Sequence, residues 1–255
     1  MLISFEIKGK FAHFRPFYTN ASSLSYYFPP RTTIIGIIAG ILGMERDSYY
    51  EIFSSENLDI SIEILTPIKK SIFTVKYYRT EKDDLGITKK GDLSIEKFLR
   101  KFLRGVEDYP TSIEVLMPIN HEFLSYRIYL NFKNNSKIEE ELWKILESNQ
   151  IKYAPYLGIS EFLAFIENPK KFEEIKEKTD IIHSVIPYDY YDYIDISEND
   201  FLILDKMPVD FLMDGNIRKI KRTNDFIVNP LGKPIKLKQE IEAIKCENKF
   251  ILWMK

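Results

Sequence analysis

Leu58-Asp-Ile-Ser-Ile-Glu-Ile64 alternates strictly, with apolar side chains at 58, 60, 62 and 64 and polar ones between them. A period of two places one set on each face of a β-strand, so this stretch predicts a half-buried strand. Working outward, Ile3, Phe5 and Ile7 alternate with Ser4, Glu6 and Lys8, and Tyr126, Ile128, Leu130 and Phe132 alternate likewise. Both predict further strands. Phe162–Ile166, after a turn at Gly158, reads as a fourth.

Two helices are expected between these strands. The first follows Pro29-Pro30, with Thr32 or Thr33 as cap and Ile34, Ile35, Ile37, Ile38, Ile41 and Leu42 as apolar positions. It is apolar nearly all round and so should be buried, with Gly36 and Gly40 permitting close packing on the sheet and Gly43 ending it. The second opens with Ser136 and Glu139 as a capping box and carries a stripe of Ile138, Leu142, Ile145 and Leu146. The order strand, helix, strand, long insertion, strand, helix, strand is that of a ferredoxin-like (RRM-like) βαββαβ domain, an α+β fold with an open antiparallel sheet under two helices. RNA-binding modules use such a sheet, and so do many metabolic domains. The reading is a ferredoxin-like domain over 1–180, with an insertion at about 68–118, and a small β-rich subdomain over 181–255. In the latter, short apolar runs alternate with turns such as Asp214-Gly215 and Asn229-Pro230.

The chain has 255 residues, 45% hydrophobic and 29% charged, the balance of a soluble globular protein. No apolar run approaches the roughly 20 residues of a membrane span. The start, MLISFEIKGK, lacks the basic and apolar regions of a secretory signal. Cys246 is the single cysteine, which excludes an internal disulfide and a cysteine-rich zinc site. A cytoplasmic location is expected, with no membrane partner.

Net charge is −2, which hides an asymmetry. Residues 69–104 hold eleven Lys/Arg against five Asp/Glu, a net of +6, and residues 1–44 have a net of +3. Such segments can attract phosphates locally or be ordinary solvated faces. Lys8, Lys10 and Arg15 interleave with Phe11, His13 and Phe14, the pairing of phosphate-neutralising and base-stacking groups that single-stranded nucleic acid requires. Lys76-Tyr77-Tyr78-Arg79 and Lys89-Lys90 repeat the theme in the insertion, where the alternative is a strand pair with one polar face. Arg31 and Thr32 stand at a helix start, where free N–H groups and a cation together suit a phosphate. For Thr32 and Thr33 the alternative is plain capping.

His13, His121 and His183 are too dispersed for a helical metal site, and each reads as structural or surface unless one is a general base. Asp189, Asp192 and Asp195 offer oxygens to a hard cation, but within their tyrosine-rich run they read as an exposed segment. The chain has no Walker loop, strand-linked GxGxxG, GxSxG or HExxH. No cofactor or metal is expected.

Three stretches together resemble the N-terminal part of the Cas-five family of CRISPR-associated proteins. They are Phe5-Glu-Ile-Lys-Gly-Lys-Phe-Ala-His-Phe-Arg15, Leu24-Ser-Tyr-Tyr-Phe-Pro-Pro-Arg-Thr32 and Ile35-Gly-Ile-Ile-Ala-Gly-Ile-Leu-Gly43. Tyr156-Leu-Gly-Ile-Ser-Glu-Phe-Leu-Ala164 looks like the same family's glycine loop, and the Pro-Pro-Arg-Thr form looks most like the type I-B branch. The resemblance implies a non-catalytic Cascade subunit of antiviral defence that binds the repeat-derived 5′ handle of CRISPR RNA and caps the backbone filament. It also implies a thumb at about 68–118, a Cas-seven-type backbone subunit and a Cas-eight-type large subunit as partners. The RNA-contacting residues expected are Lys8, Lys10, His13, Phe14, Arg15, Arg31, Thr32, Lys76, Tyr77, Tyr78, Arg79, Lys89, Lys90 and Gly158. One branch of the family cuts precursor CRISPR RNA without a metal, using tyrosine, lysine and histidine. Its Lys-His pair is absent here, so a metal-independent endoribonuclease using His13 or His121 is the alternative.

Overall fold

The structure is a computed structural model that describes residues 1–19, 23–78 and 108–255. Its centre is a four-stranded antiparallel sheet in the order β2-β5-β1-β6. The strands are β1 (Leu2–Gly9), β2 (Leu58–Ile64), β5 (Leu124–Phe132) and β6 (Ala164–Phe172). Register follows from the alternation: Phe5 opposes Ile128, and Ile128 opposes Ile62, so the apolar sets of three strands share one face. β6 begins two residues later than the apolar run at 162 suggests, because Phe162 belongs to the preceding loop.

Two helices cover the apolar face: α1 (Arg31–Leu42) and α2 (Ser136–Ser148). Each starts differently from its sequence signal. Pro30 precedes α1 with no side-chain cap, and Thr32 and Thr33 lie inside the first turn, so neither threonine caps. Asn135 occupies the N-cap of α2 and Ser136 is its first helical residue, so the Ser136–Glu139 box does not form. Gly36 and Gly40 do not press against the sheet. A Cβ at Gly40 would meet nothing within 4 Å, and one at Gly36 would touch only the Tyr49 hydroxyl. The two glycines instead line a shallow cleft with Tyr49 and Tyr153. Gly43 ends α1 in the left-handed region, as its position predicts.

The sheet's second face is not open. Ser4, Glu6, Asp59, Ser61 and Glu63 are all buried there. β11 (Ile235–Cys246) and β12 (Lys249–Ile251) lie over it, joining Leu2 and Tyr129 in a small apolar cluster with Ile244, Cys246 and Ile251. The buried charges are paired: Arg127 and Lys8 hold Glu6, while Lys249 and the Tyr129 hydroxyl hold Glu63. The outer edge of β2 is occupied too, with Val185 N–H donating to Ile62 O and Met254 N–H to Ile60 O.

β11 and β12 continue into β7 (Ile175–Ile182) as a three-stranded sheet. β8 (Ile186–Pro187), β10 (Ile217–Val228) and β9 (Ile203–Asp214) form another. Gly215 supplies the positive φ of 59° that the β9–β10 turn requires. Met207, Val209, Phe226 and Val228 enter the same core as α1 and the central sheet. The insertion contributes a two-stranded ribbon, β3 (Ile68–Tyr78) with β4 (Asp108–Pro118). No helix among the described residues is long and apolar enough to cross a membrane.

Candidate RNA interface

In the basic–aromatic stretch at the end of β1 and after it, the fold buries His13 and Phe14 and leaves Lys10, Phe11 and Arg15 exposed. Lys8, the penultimate residue of β1, reaches Glu167 at 2.8 Å and Glu6 at 3.1 Å. The Glu167 contact raises its pKa above the ordinary lysine value, desolvation opposes this, and Glu6 adds to the rise. Lys10 is exposed, with no ion pair among the described residues. Arg15 is also exposed, and its guanidinium donates to Thr19 O at 2.9 Å.

His13 and Phe14 turn inward. Phe14 is 2% exposed, packs edge-on against Tyr126 and donates its N–H to Ser25 Oγ. It therefore supports the wall and offers no ring to a base, which corrects the stacking role expected of it. His13 is also buried. Its Nδ1 lies 2.7 Å from Glu114 O, and its Nε2 lies 3.2 Å from Ser23 Oγ. A carbonyl only accepts, so Nδ1 carries a proton, and Nε2 shares a hydrogen bond with the Ser23 hydroxyl. The imidazole thus ties the stretch that follows β1 to β4, an arrangement reinforced where Ala12 bridges Leu116 and Ser25 N–H donates to Glu114 Oε2.

Gly158 closes this corner. Its φ is +95°, and a Cβ built there would stand 1.8 Å from His13 O. Only glycine fits so close an approach. The His13 N–H donates to Leu157 O at 3.0 Å, so the two loops are bonded as well as pressed together. Between them opens a cleft of about 330 Å³, bounded by His13, Arg15, Ser23, Thr33, Gly158 and Ile159.

Arg31 belongs elsewhere. It is fully buried and donates to Asp210 Oδ1 at 3.2 Å, Phe53 O at 2.9 Å and Leu58 O at 2.6 Å. Burial pushes its pKa down to about 10, against the opposing pull of Asp210. It fastens the start of α1 to β9 and to the entry of β2. Its guanidinium is out of reach of an external phosphate, which corrects the expected contact. Thr32 is buried beside it.

Lys76, Tyr77 and Tyr78 are described only as backbone at the far end of β3, with Tyr77 opposite Tyr109. Arg79, Lys89 and Lys90 lie outside the described residues. His121 is exposed on the β4–β5 loop, and no hydrogen bond among the described residues joins it to His13. The His183 Nδ1 accepts from Phe250 N–H, and desolvation lowers its pKa. Tyr188–Tyr193 forms a 3₁₀ turn with Tyr188 and Tyr191 stacked at 5.2 Å. Among the described residues no group of three or more His, Cys, Asp or Glu is placed to hold a metal.

A family model described as CRISPR-associated protein (Cas_Cas5) matches residues 2–100, which include β1, α1, β2 and β3. Over that stretch the chain is similar to the Cas-five family. A CRISPR protein from Archaeoglobus fulgidus is similar to this chain in fold, at 14% identity, 98% coverage of both chains and a TM-score of 0.55. A chain solved as part of a CRISPR RNA-guided surveillance complex matches at 14% identity, with 95% of this chain and 92% of that one covered and a TM-score of 0.49. No curated protein sequence matches. Residues that carry no motif do much of the positioning. Ser23 and Glu114 hold His13, and the Glu114 contact spans 101 positions, which no local pattern reveals.

Proposed function

We propose that this protein is a Cas-five-type, non-catalytic RNA-binding subunit of a CRISPR effector complex and grips the repeat-derived 5′ handle of CRISPR RNA. The observation that carries the reading is the corner where Gly158 presses on His13, with Arg15 at the rim of the adjoining cleft and Lys10 exposed nearby. It offers a rigid backbone wall and cations to a phosphate chain. The sheet order β2-β5-β1-β6, with one helix after β1 and one after β5, supports a ferredoxin-like layout for residues 1–180. In this reading 181–255 is the appended β-rich subdomain, and the β3–β4 ribbon is the base of a thumb directed at a Cas-seven-type backbone subunit. A Cas-eight-type large subunit is the second protein partner, the subtype is I-B and the setting is cytoplasmic.

No observation favours the nuclease alternative. His13 uses both ring nitrogens internally. Titrating the full chain with handle RNA and a scrambled RNA of equal length, by fluorescence anisotropy, tests the proposal. Tighter binding to the handle is expected, weakening with log salt by about 0.7 per phosphate neutralised. Equal, salt-insensitive binding to both would remove it.

A further inference from the structure

A second feature adjoins the 156–163 loop. Phe11 and Phe162 lie with ring centroids 5.7 Å apart, and Phe123 and Phe165 meet edge-to-face at 5.1 Å. Phe11 and Phe165 are each 37% exposed, and Leu163 between the pairs is 65% exposed. Three chain segments bring the rings together. Lys8 pairs with Phe165 in the β1–β6 register, and Gly9 opposes both Leu124 and Ala164, so the loops beyond these positions meet at one end of the sheet. Gly9 permits the approach, since a Cβ there would stand 2.8 Å from Leu157 Cδ1 and 3.1 Å from Leu163 O.

Clustered exposed rings, unlike singly scattered apolar residues, mark interaction surfaces. In an edge-to-face pair, one ring presents its edge to its neighbour and keeps its own faces free. A free ring face is what an unpaired base stacks on. We propose that Phe11, Phe123, Phe162 and Phe165 form a stacking platform for unpaired bases of single-stranded RNA. This rests on the RNA-binding reading above and extends it, because the same loop supplies Gly158 and Ile159 to the cleft and Phe162 to the platform. A protein partner suits the surface less well. The rings form two separate pairs interspersed with Lys8, Lys10, Glu161 and Glu167, whereas protein hot spots sit in continuous, fully desolvated patches.

Charge makes the platform distinguishable from the cleft. Glu167 pairs with Lys8, whose strand position faces Phe165. The rings themselves carry no charge, so the platform's contribution comes from stacking and is indifferent to salt. The test uses the full chain and a single-stranded oligoribonucleotide carrying 2-aminopurine, titrated at several salt concentrations. Phe11→Leu and Phe165→Leu keep apolar bulk and remove the π face. Each is expected to weaken binding about fivefold or more, by the same factor at every salt concentration, and to reduce the stacking quench of the probe. Phe165→Trp should restore both. Lys10→Ala should instead reduce the salt slope and leave the quench in place. Leucine variants with unchanged affinity and quench, while Lys10→Ala weakens binding, would overturn the platform alone. Failure of the unmodified chain to bind RNA would overturn the RNA reading beneath it.

Discussion

The α-carbon of Gly158 stands so near the carbonyl of His13 that an added Cβ would lie 1.8 Å from the oxygen. The glycine loop and the basic stretch after β1 are therefore one rigid corner. Gly158→Ala must move one loop away from the other and also adopt a φ of +95°. It should cost about 1–2 kcal/mol from the left-handed backbone alone, with the clash in addition. Denaturant unfolding should show the loss of stability, and RNA affinity should fall further than Lys10→Ala lowers it. A stable variant with unchanged affinity would separate the corner from binding.

Arg31 is a fastener, so its loss should be read in stability. Arg31→Met takes from Asp210 its buried cation, leaving Ser55 and the half-exposed Arg222, and should destabilise the fold by about 3–5 kcal/mol. Replacing Asp210 by leucine in the same chain should recover part of this. RNA affinity per folded molecule should stay within twofold of the original, whereas a phosphate-contacting arginine would lose affinity with little loss of stability.

Acid sensitivity is expected on the second face of the sheet. Burial pushes the Glu6 carboxyl up, but its bonds to Lys8 and Arg127 together outweigh this and hold it below the ordinary 4.5. A depressed folded-state pKa contributes stability that is present above the unfolded value and lost as pH falls through the folded one. Melting temperature should therefore decline below about pH 4.5. Glu6→Gln should start less stable and lose less over that range. An identical acid limb in the variant would assign the effect to other groups.

Burial, with Glu247 and Glu63 adding to it, pushes the Cys246 thiol up to about 12. Almost no thiolate exists at neutral pH, and the side chain is enclosed. A thiol reagent should leave the native chain unmodified and label it only as denaturant unfolds it, with the same midpoint as the loss of circular dichroism. Rapid labelling without denaturant would contradict the packing of β11 on the central sheet.

Much of the central sheet is legible in the sequence because its apolar face obeys a period of two: Leu58–Ile64 and Tyr126–Phe132 are strands at the positions their alternation indicates. The same rule misreads the other face. Ser61 and Glu63 look like solvent-facing residues, yet β11 and β12, from the far end of the chain, cover them. Arg31 is misread for the same reason. A cation after two prolines looks exposed until Asp210, 179 positions away, is seen to meet it. In the candidate site, Lys10 and Arg15 were visible as local pattern. The hold of Glu114 on His13 and the pairing of Phe123 with Phe165 join distant segments and had no local signature.

The central claim is that the corner of β1 and the glycine loop holds the handle. Photocrosslinking tests it most directly, using handle RNA substituted with 4-thiouridine, the full chain, and mass spectrometry to locate the crosslinked peptides. The account predicts crosslinks within residues 8–15 and 156–165, lost when unlabelled handle competes. Crosslinks confined to the β7–β11–β12 sheet, or spread evenly and unaffected by competitor, would contradict it.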